Sequence, residues 1–76
     1  MKSDLDLLEE RIRGYLTAHP DAADTVQGIR AWWLGGSYSH YSAATVEVVL
    51  HRLVKKHEVV QSISLSGETI YAKWRD

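Results

Sequence analysis

Apolar residues at Leu5, Leu8, Ile12, Tyr15 and Leu16 recur every three or four positions, with Ser3 just before them and Asp4 and Asp6 in what would be the first turn. This is the pattern of an amphipathic helix with a hydroxyl N-cap and carboxylates placed to favour the helix dipole. It predicts a helix over about 4–18, stopped at His19 because a residue before proline is driven out of helical geometry. Leu7 lies off the stripe and is expected at its flank. Val26, Ile29 and Trp33 share a second helical face, with Asp24 as the N-cap candidate and Gly35 as the left-handed residue that ends it. A second helix is therefore expected over about 25–34, and Ala22 and Ala23 leave room only for a very short extended piece before it. The strongest stripe, Val46, Val49, Leu50, Leu53 and Val54, follows Ser42. It predicts a third helix over about 43–57, because the helical period runs too long for an ordinary strand despite the β-branched Thr45, Val46, Val48 and Val49.

From Val59 the period falls to two: Val59, Ile63 and Leu65 alternate with Val60, Ser62 and Ser64, and beyond Ser66-Gly67 the residues Ile70, Ala72 and Trp74 alternate with Thr69, Tyr71 and Lys73. A two-residue turn at Ser66-Gly67 pairs Leu65 with Glu68, Ile63 with Ile70 and Val59 with Trp74, which gathers the apolar residues on one face of a hairpin over about 59–74. Three helices and a terminal hairpin account for the whole chain as one α+β domain.

A chain of 76 residues commits most of its apolar side chains to a single core, and the absence of cysteine removes disulfides, thiolate metal sites and a cysteine nucleophile together. The opening "MKSDLDLLEE" is acidic where a signal peptide is basic and then apolar, and no run approaches the roughly 18 apolar residues of a spanning helix. A soluble cytoplasmic chain with no membrane contact is expected. Nine Lys and Arg against ten Asp and Glu leave a net charge of −1, so bulk charge points neither toward nor away from nucleic acid, whose binders usually carry a basic excess.

The order helix, helix, helix, hairpin resembles a winged helix, the helix-turn-helix variant whose hairpin is the wing. The most specific stretch is "TVEVVLHRLVKKHEVVQSISLSGETIYAKW", similar to the part of bacterial winged-helix transcriptional regulators in which a T-V-x-x-x-L-x-x-L-V-K-K-type third helix leads directly into two strands. The resemblance implies a three-helix winged helix-turn-helix with a two-stranded antiparallel wing, and a third helix that enters the major groove of double-stranded DNA. Ala43, Ala44, Thr45, Glu47, Val48, His51 and Arg52 would look toward base edges, and Arg52, Lys55 and Lys73 toward phosphates. Tyr38 and His40 could donate to phosphate from the preceding loop. Three departures accompany the resemblance: a connection from Gly35 to Tyr41 longer than a tight turn, a carboxylate at Glu47 on the reading face, and another at Glu68 on the wing tip "SGE". They keep open a second reading, a winged-helix adaptor that binds a protein through Trp32, Tyr38, Tyr41 and Val48. Either form is expected as a monomer or weak homodimer.

The segment "WWLGGSYSHYSAAT" holds the remaining chemistry. Ser37, Ser39 and His40 lack a nearby acid and a strand-to-helix elbow, which argues against a serine nucleophile. Gly35-Gly36-Ser37 follows a helix and lacks the lysine of a phosphate-binding loop. Glu47 and His51, four apart, could meet His40 around a metal, but such pairs are common on solvated helices. No catalytic residue, metal or cofactor is expected. Trp33 and Trp74 fall on apolar stripes and are expected in the core, whereas Trp32, Tyr38 and Tyr41 either pack over helix ends or form an amphipathic anchor patch.

Overall fold

The structure, a computed structural model, describes residues 2–35 and 40–75. Helix α1 spans Asp4–Ala18, as the periodicity predicts, and opens on a capping box in which the Ser3 hydroxyl accepts from the Asp6 N–H (3.2 Å) while the Asp6 carboxylate accepts from the Ser3 N–H (3.3 Å). Helix α3 spans Ala43–Lys55, with Ser42 as its N-cap accepting from the Thr45 N–H. It stops two residues before the predicted end. His57 takes a left-handed conformation (φ 58°), and Glu58 and His57 return their N–H groups to the carbonyls of Leu53 and Val54, the bonding of a Schellman turn.

The second helix departs further from expectation. Its N-cap is Thr25, whose hydroxyl accepts from the Gly28 N–H (3.2 Å), while the Asp24 carboxylate accepts from the Thr25 N–H (2.8 Å). Helix α2 covers Val26–Gly28 and continues as a π-helical segment, Ile29–Trp33, closed by an i to i+5 bond from the Leu34 N–H to the Ile29 carbonyl. The wider turn seats both Trp33 and Leu34 in the core and leaves Trp32 75% exposed. Ordinary helical spacing puts Leu34 off the stripe, and for that reason it is missing from the predicted core. Gly35 follows with φ +76°, the expected helix stop, and the Leu34 carbonyl accepts from Arg11 Nε (3.0 Å).

The predicted two-stranded hairpin is part of a three-stranded antiparallel sheet. Strands β1 (Ala23–Asp24), β2 (Val59–Ile63) and β3 (Thr69–Lys73) lie in the order β1-β3-β2. Two residues carry no periodic signal, so β1 is defined only by its pairing, Ala23 with Ala72 and Asp24 with Tyr71. The hairpin register differs from the predicted one by a single residue: Val59 faces Lys73, Gln61 faces Tyr71 and Ile63 faces Thr69. The turn is the cause. Ser64 and Glu68 close a three-residue loop, Leu65-Ser66-Gly67, in which Gly67 alone has positive φ (+89°), whereas a two-residue type I′ turn requires it at both central positions.

Because side chains alternate along a strand, this one-residue difference exchanges the faces of β3 relative to β2: Tyr71, paired with Gln61, shares the face of Val59, and Ile70 and Ala72 turn to the other, while Ile63 and Leu65 lie beyond the core towards the turn. Tyr71 enters the core at 2% exposure, while Ile63 and Leu65 stand 70% and 110% exposed and Trp74 sits at the margin, stacked on His57 (4.7 Å). The core joins Leu8, Ile12 and Leu16 of α1, Ile29, Trp33 and Leu34, the α3 stripe Val46, Val49, Leu50 and Leu53, and Val59 and Tyr71 of the sheet. Trp33, as expected, is inside, stacked on Tyr15 (5.0 Å). No helix among the described residues is long and apolar enough to cross a membrane.

Candidate functional site

Burying one stripe of α3 turns the opposite stripe outward. Ala44, Glu47, Val48, His51 and Lys55 are exposed, with Val48 at 49%. Thr45 belongs to the cap: its hydroxyl lies 3.0 Å from the Ser42 hydroxyl. Beside this face a cleft of about 510 Å³ opens between the start of α2, the first turns of α3 and the wing, lined by Thr25, Val26, Gln27, Ala43, Glu47, Glu68 and Thr69. Its charged side chains are both carboxylates. Outside the lining of the cleft, the Tyr71 hydroxyl lies 3.5 Å from His51 Nε2. Burial, and then the Glu47 charge, raise the Tyr71 pKa above its ordinary value, so it stays a neutral phenol.

The predicted phosphate-contacting residues do not converge on that cleft. Arg52 turns back toward α1, where its Nη2 lies 3.1 Å from Asp6 Oδ1 and 2.8 Å from Glu9 Oε2. Lys73, at the base of the hairpin, lines a separate groove of about 330 Å³ with Arg13, Leu16, Leu53, His57, Val59 and Trp74. Lys55 is exposed and has no ion-pair partner among the described residues. His40 is exposed and packs on Tyr41 at 4.3 Å; Tyr41 is half-buried against the core, and its carbonyl accepts from Arg30 Nε (2.8 Å). Tyr38 lies outside the described residues, as do Ser37 and Ser39. Of the residues expected to anchor a protein partner, Trp32 and Val48 are open to solvent. Among the described residues no three His, Asp or Glu side chains converge as metal ligands.

Glu9, which the sequence reading passed over, organises the cations. It is 2% exposed, and its Oε1 accepts from Lys56 Nζ (2.6 Å) and Arg13 Nη2 (3.5 Å). Its buried Oε2 meets Arg52 Nη2 off the hydrogen-bonding axis, a contact of charge rather than of a directed bond. Arg13 also clamps Glu58 through two hydrogen bonds (2.6 and 3.2 Å), which holds its guanidinium pKa above the ordinary value. A signal for Glu9 was present: positions 5, 9, 12 and 16 share one helical face, and a carboxylate among Leu5, Ile12 and Leu16 demands a cation from the packed helix.

Asp6 gives this network a pH dependence. Hydrogen bonds from the Ser3 backbone and hydroxyl, then Arg52, lower its pKa below the usual carboxylate value. A carboxylate with a depressed folded pKa contributes stability above its unfolded value, about 3.9, and loses it as pH falls through the folded value. Urea midpoints are therefore expected to fall more steeply between about pH 5 and 2 for the wild-type protein than for Asp6→Asn. Parallel curves would show that the capping-box carboxylate adds nothing in the folded state.

Comparison with family models, with curated proteins and with solved structures returned no match to this chain.

Proposed function

We propose that this chain is a winged-helix protein-interaction module whose partner is a protein segment carrying basic side chains beside an apolar anchor. The supporting observation is the cleft between α3 and the wing, where a duplex lies against a winged helix that reads DNA. Here that cleft presents Glu47 and Glu68. Like charges about 4 Å apart in water oppose each other by about 1 kcal/mol per pair, so two carboxylates discourage phosphate and favour Lys or Arg. Arg52, which could offset them, is held by Asp6 and Glu9. Trp32 and Val48, both large and open to solvent, supply the kind of apolar surface from which interface hot spots are built.

Duplex DNA binding, which the resemblance implies, keeps one observation in its favour. His51 and Lys55 project from the same outer face of α3, four residues apart, and Lys55 is unpaired among the described residues.

An amide chemical-shift titration with a mixed-sequence duplex, at low and then moderate salt, separates the two. The wild-type protein is expected to show no shifts confined to Thr45–Lys55 and the wing, whereas Glu47→Lys with Glu68→Lys is expected to show salt-sensitive shifts there. Wild-type shifts at those positions that fade with salt would establish the DNA reading instead. In partner capture, Trp32→Ala is expected to weaken retention by about 30-fold, the scale of an interface hot spot, and Lys55→Ala to leave it unchanged.

A further inference from the structure

β2 is an outer strand of the sheet, and its backbone pairing shows which groups it leaves free. The Trp74 N–H donates to the Glu58 carbonyl (3.0 Å) and the Ser64 N–H to the Glu68 carbonyl (2.8 Å). Bonded pairs alternate in an antiparallel ladder, so Val60 and Ser62 also spend their backbone groups on β3, and Val59, Gln61 and Ile63 direct theirs outward. Outer strands are normally guarded by Lys, Pro or a bulge. Val59–Ile63 contains no proline, pairs residue for residue without a bulge, and the first charged residue after Glu58 is Glu68. Exposed apolar side chains follow along the strand and into the turn beyond it: Val60 (40%), Ile63 (70%) and Leu65 (110%).

We propose that this edge binds the β2 edge of a second copy of the chain, joining two three-stranded sheets into one antiparallel sheet of six strands across a two-fold axis at Gln61. The occupant follows from self-complementarity. A two-fold pairing centred on Gln61 matches Val59 with Ile63 of the second copy and Gln61 with its counterpart. All three outward-facing residues then exchange backbone bonds, and no charge opposes a like charge. Directly paired residues share a face, so the exposed Ile63 comes to lie beside the other copy's Val59, and Leu65 is carried toward its His57. Val59 and His57 both line the groove floored by Leu16, Leu53 and Trp74. The apolar side chains that the hairpin exposes thus meet the apolar groove at its base, twice over by symmetry. A charged partner strand would find no counter-charge along this edge.

Sedimentation equilibrium up to roughly 1 mM protein, combined with amide hydrogen exchange at low and high concentration, tests the pairing. The expected result is a reversible monomer–dimer equilibrium in which the Val59, Gln61 and Ile63 amides gain protection with concentration, while Val60 and Ser62 are protected throughout. Ile63→Lys is expected to shift dissociation at least tenfold toward monomer with an unchanged thermal midpoint at dilution, since this side chain is solvated in the monomer. Ser62→Lys, on the other face, tests for loss of folding unrelated to Ile63. A monomer at every concentration, a dimer whose odd-numbered β2 amides stay unprotected, or a dimer indifferent to Ile63→Lys would each overturn the proposal.

Discussion

Tyr71→Ala is expected to destabilise the protein by about 3–5 kcal/mol, the range for emptying an aromatic core position, which is a large part of the roughly 5–10 kcal/mol that holds a small domain together. Tyr71 is 2% exposed and belongs to the core cluster that joins the helices to the sheet, so its removal opens a cavity there. Ile63→Ala and Leu65→Ala, at solvated positions, should each stay within about 0.5 kcal/mol. Tyr71→Ala against Ile70→Ala tests the hairpin register directly. With Val59 held in the core, the register of a two-residue turn puts Ile70 opposite Ile63 on the core face and turns Tyr71 to water, so the order of these two effects reverses. Urea midpoints of the two variants decide it, with Ile70→Ala as the costlier substitution ruling out the three-residue loop. Tyr71→Phe separates shape from polarity. Among the described residues its hydroxyl reaches only His51, at the 3.5 Å limit of a hydrogen bond, so the loss should stay below about 1 kcal/mol.

The second large effect is expected at Glu9. Removing one member of a buried ion pair costs about 3–5 kcal/mol when the remaining charge is trapped away from water. Here the carboxylate is buried, but the side chains of Arg13, Arg52 and Lys56 are 42%, 35% and 50% exposed and recover solvation by swinging outward. The expected cost of Glu9→Ala is therefore lower, about 2–3 kcal/mol, and that of Glu9→Gln, which keeps the volume and one acceptor, about 1–2 kcal/mol. Glu9→Gln also has a functional signature. Weakening the hold on Arg52 and Lys56 frees positive charge at the end of α3, so non-specific duplex affinity at low salt should rise in this variant. A thermal or urea midpoint within about 0.5 kcal/mol of wild type, with no gain in duplex affinity, would show that the cations do not depend on Glu9.

Glu9 also marks where reading the chain in one dimension stops. Its place on the buried face of α1 is visible in the three-and-four spacing, yet its partners Arg52 and Lys56 lie more than forty residues away, and nothing local selects them over solvent. The same limit applies to Arg52. On a helical wheel it belongs to the margin of an outer face, and it resembles a phosphate contact until α1 packs alongside and offers two carboxylates. Of the residues expected to anchor a protein partner, Trp32 and Val48 are exposed, Tyr41 is half-buried against the core, and Tyr38 lies outside the described residues. The cations expected to act together on DNA are divided between an internal network, an exposed helix end and a groove at the base of the hairpin.

The sequence by itself determined the elements whose cause is local. The spans of α1 and α3 and their serine caps, the helix stop at Gly35 and the change from helical to strand period at Val59 all follow from neighbours within a turn or two. Only the tertiary structure decided three others. The π-helical turn that buries Leu34 and expels Trp32 forms because both Trp33 and Leu34 gain a place in the core, which ordinary helical periodicity cannot represent. β1 is a strand only because β3 lies beside it. The hairpin register turns on whether one or two residues adopt positive φ, a choice that both "SG" and "LSG" permit, and burial of Tyr71 against α3 stabilises the longer loop. In each case the deciding free energy comes from contacts between residues distant along the chain, and a pattern of near neighbours carries no record of them.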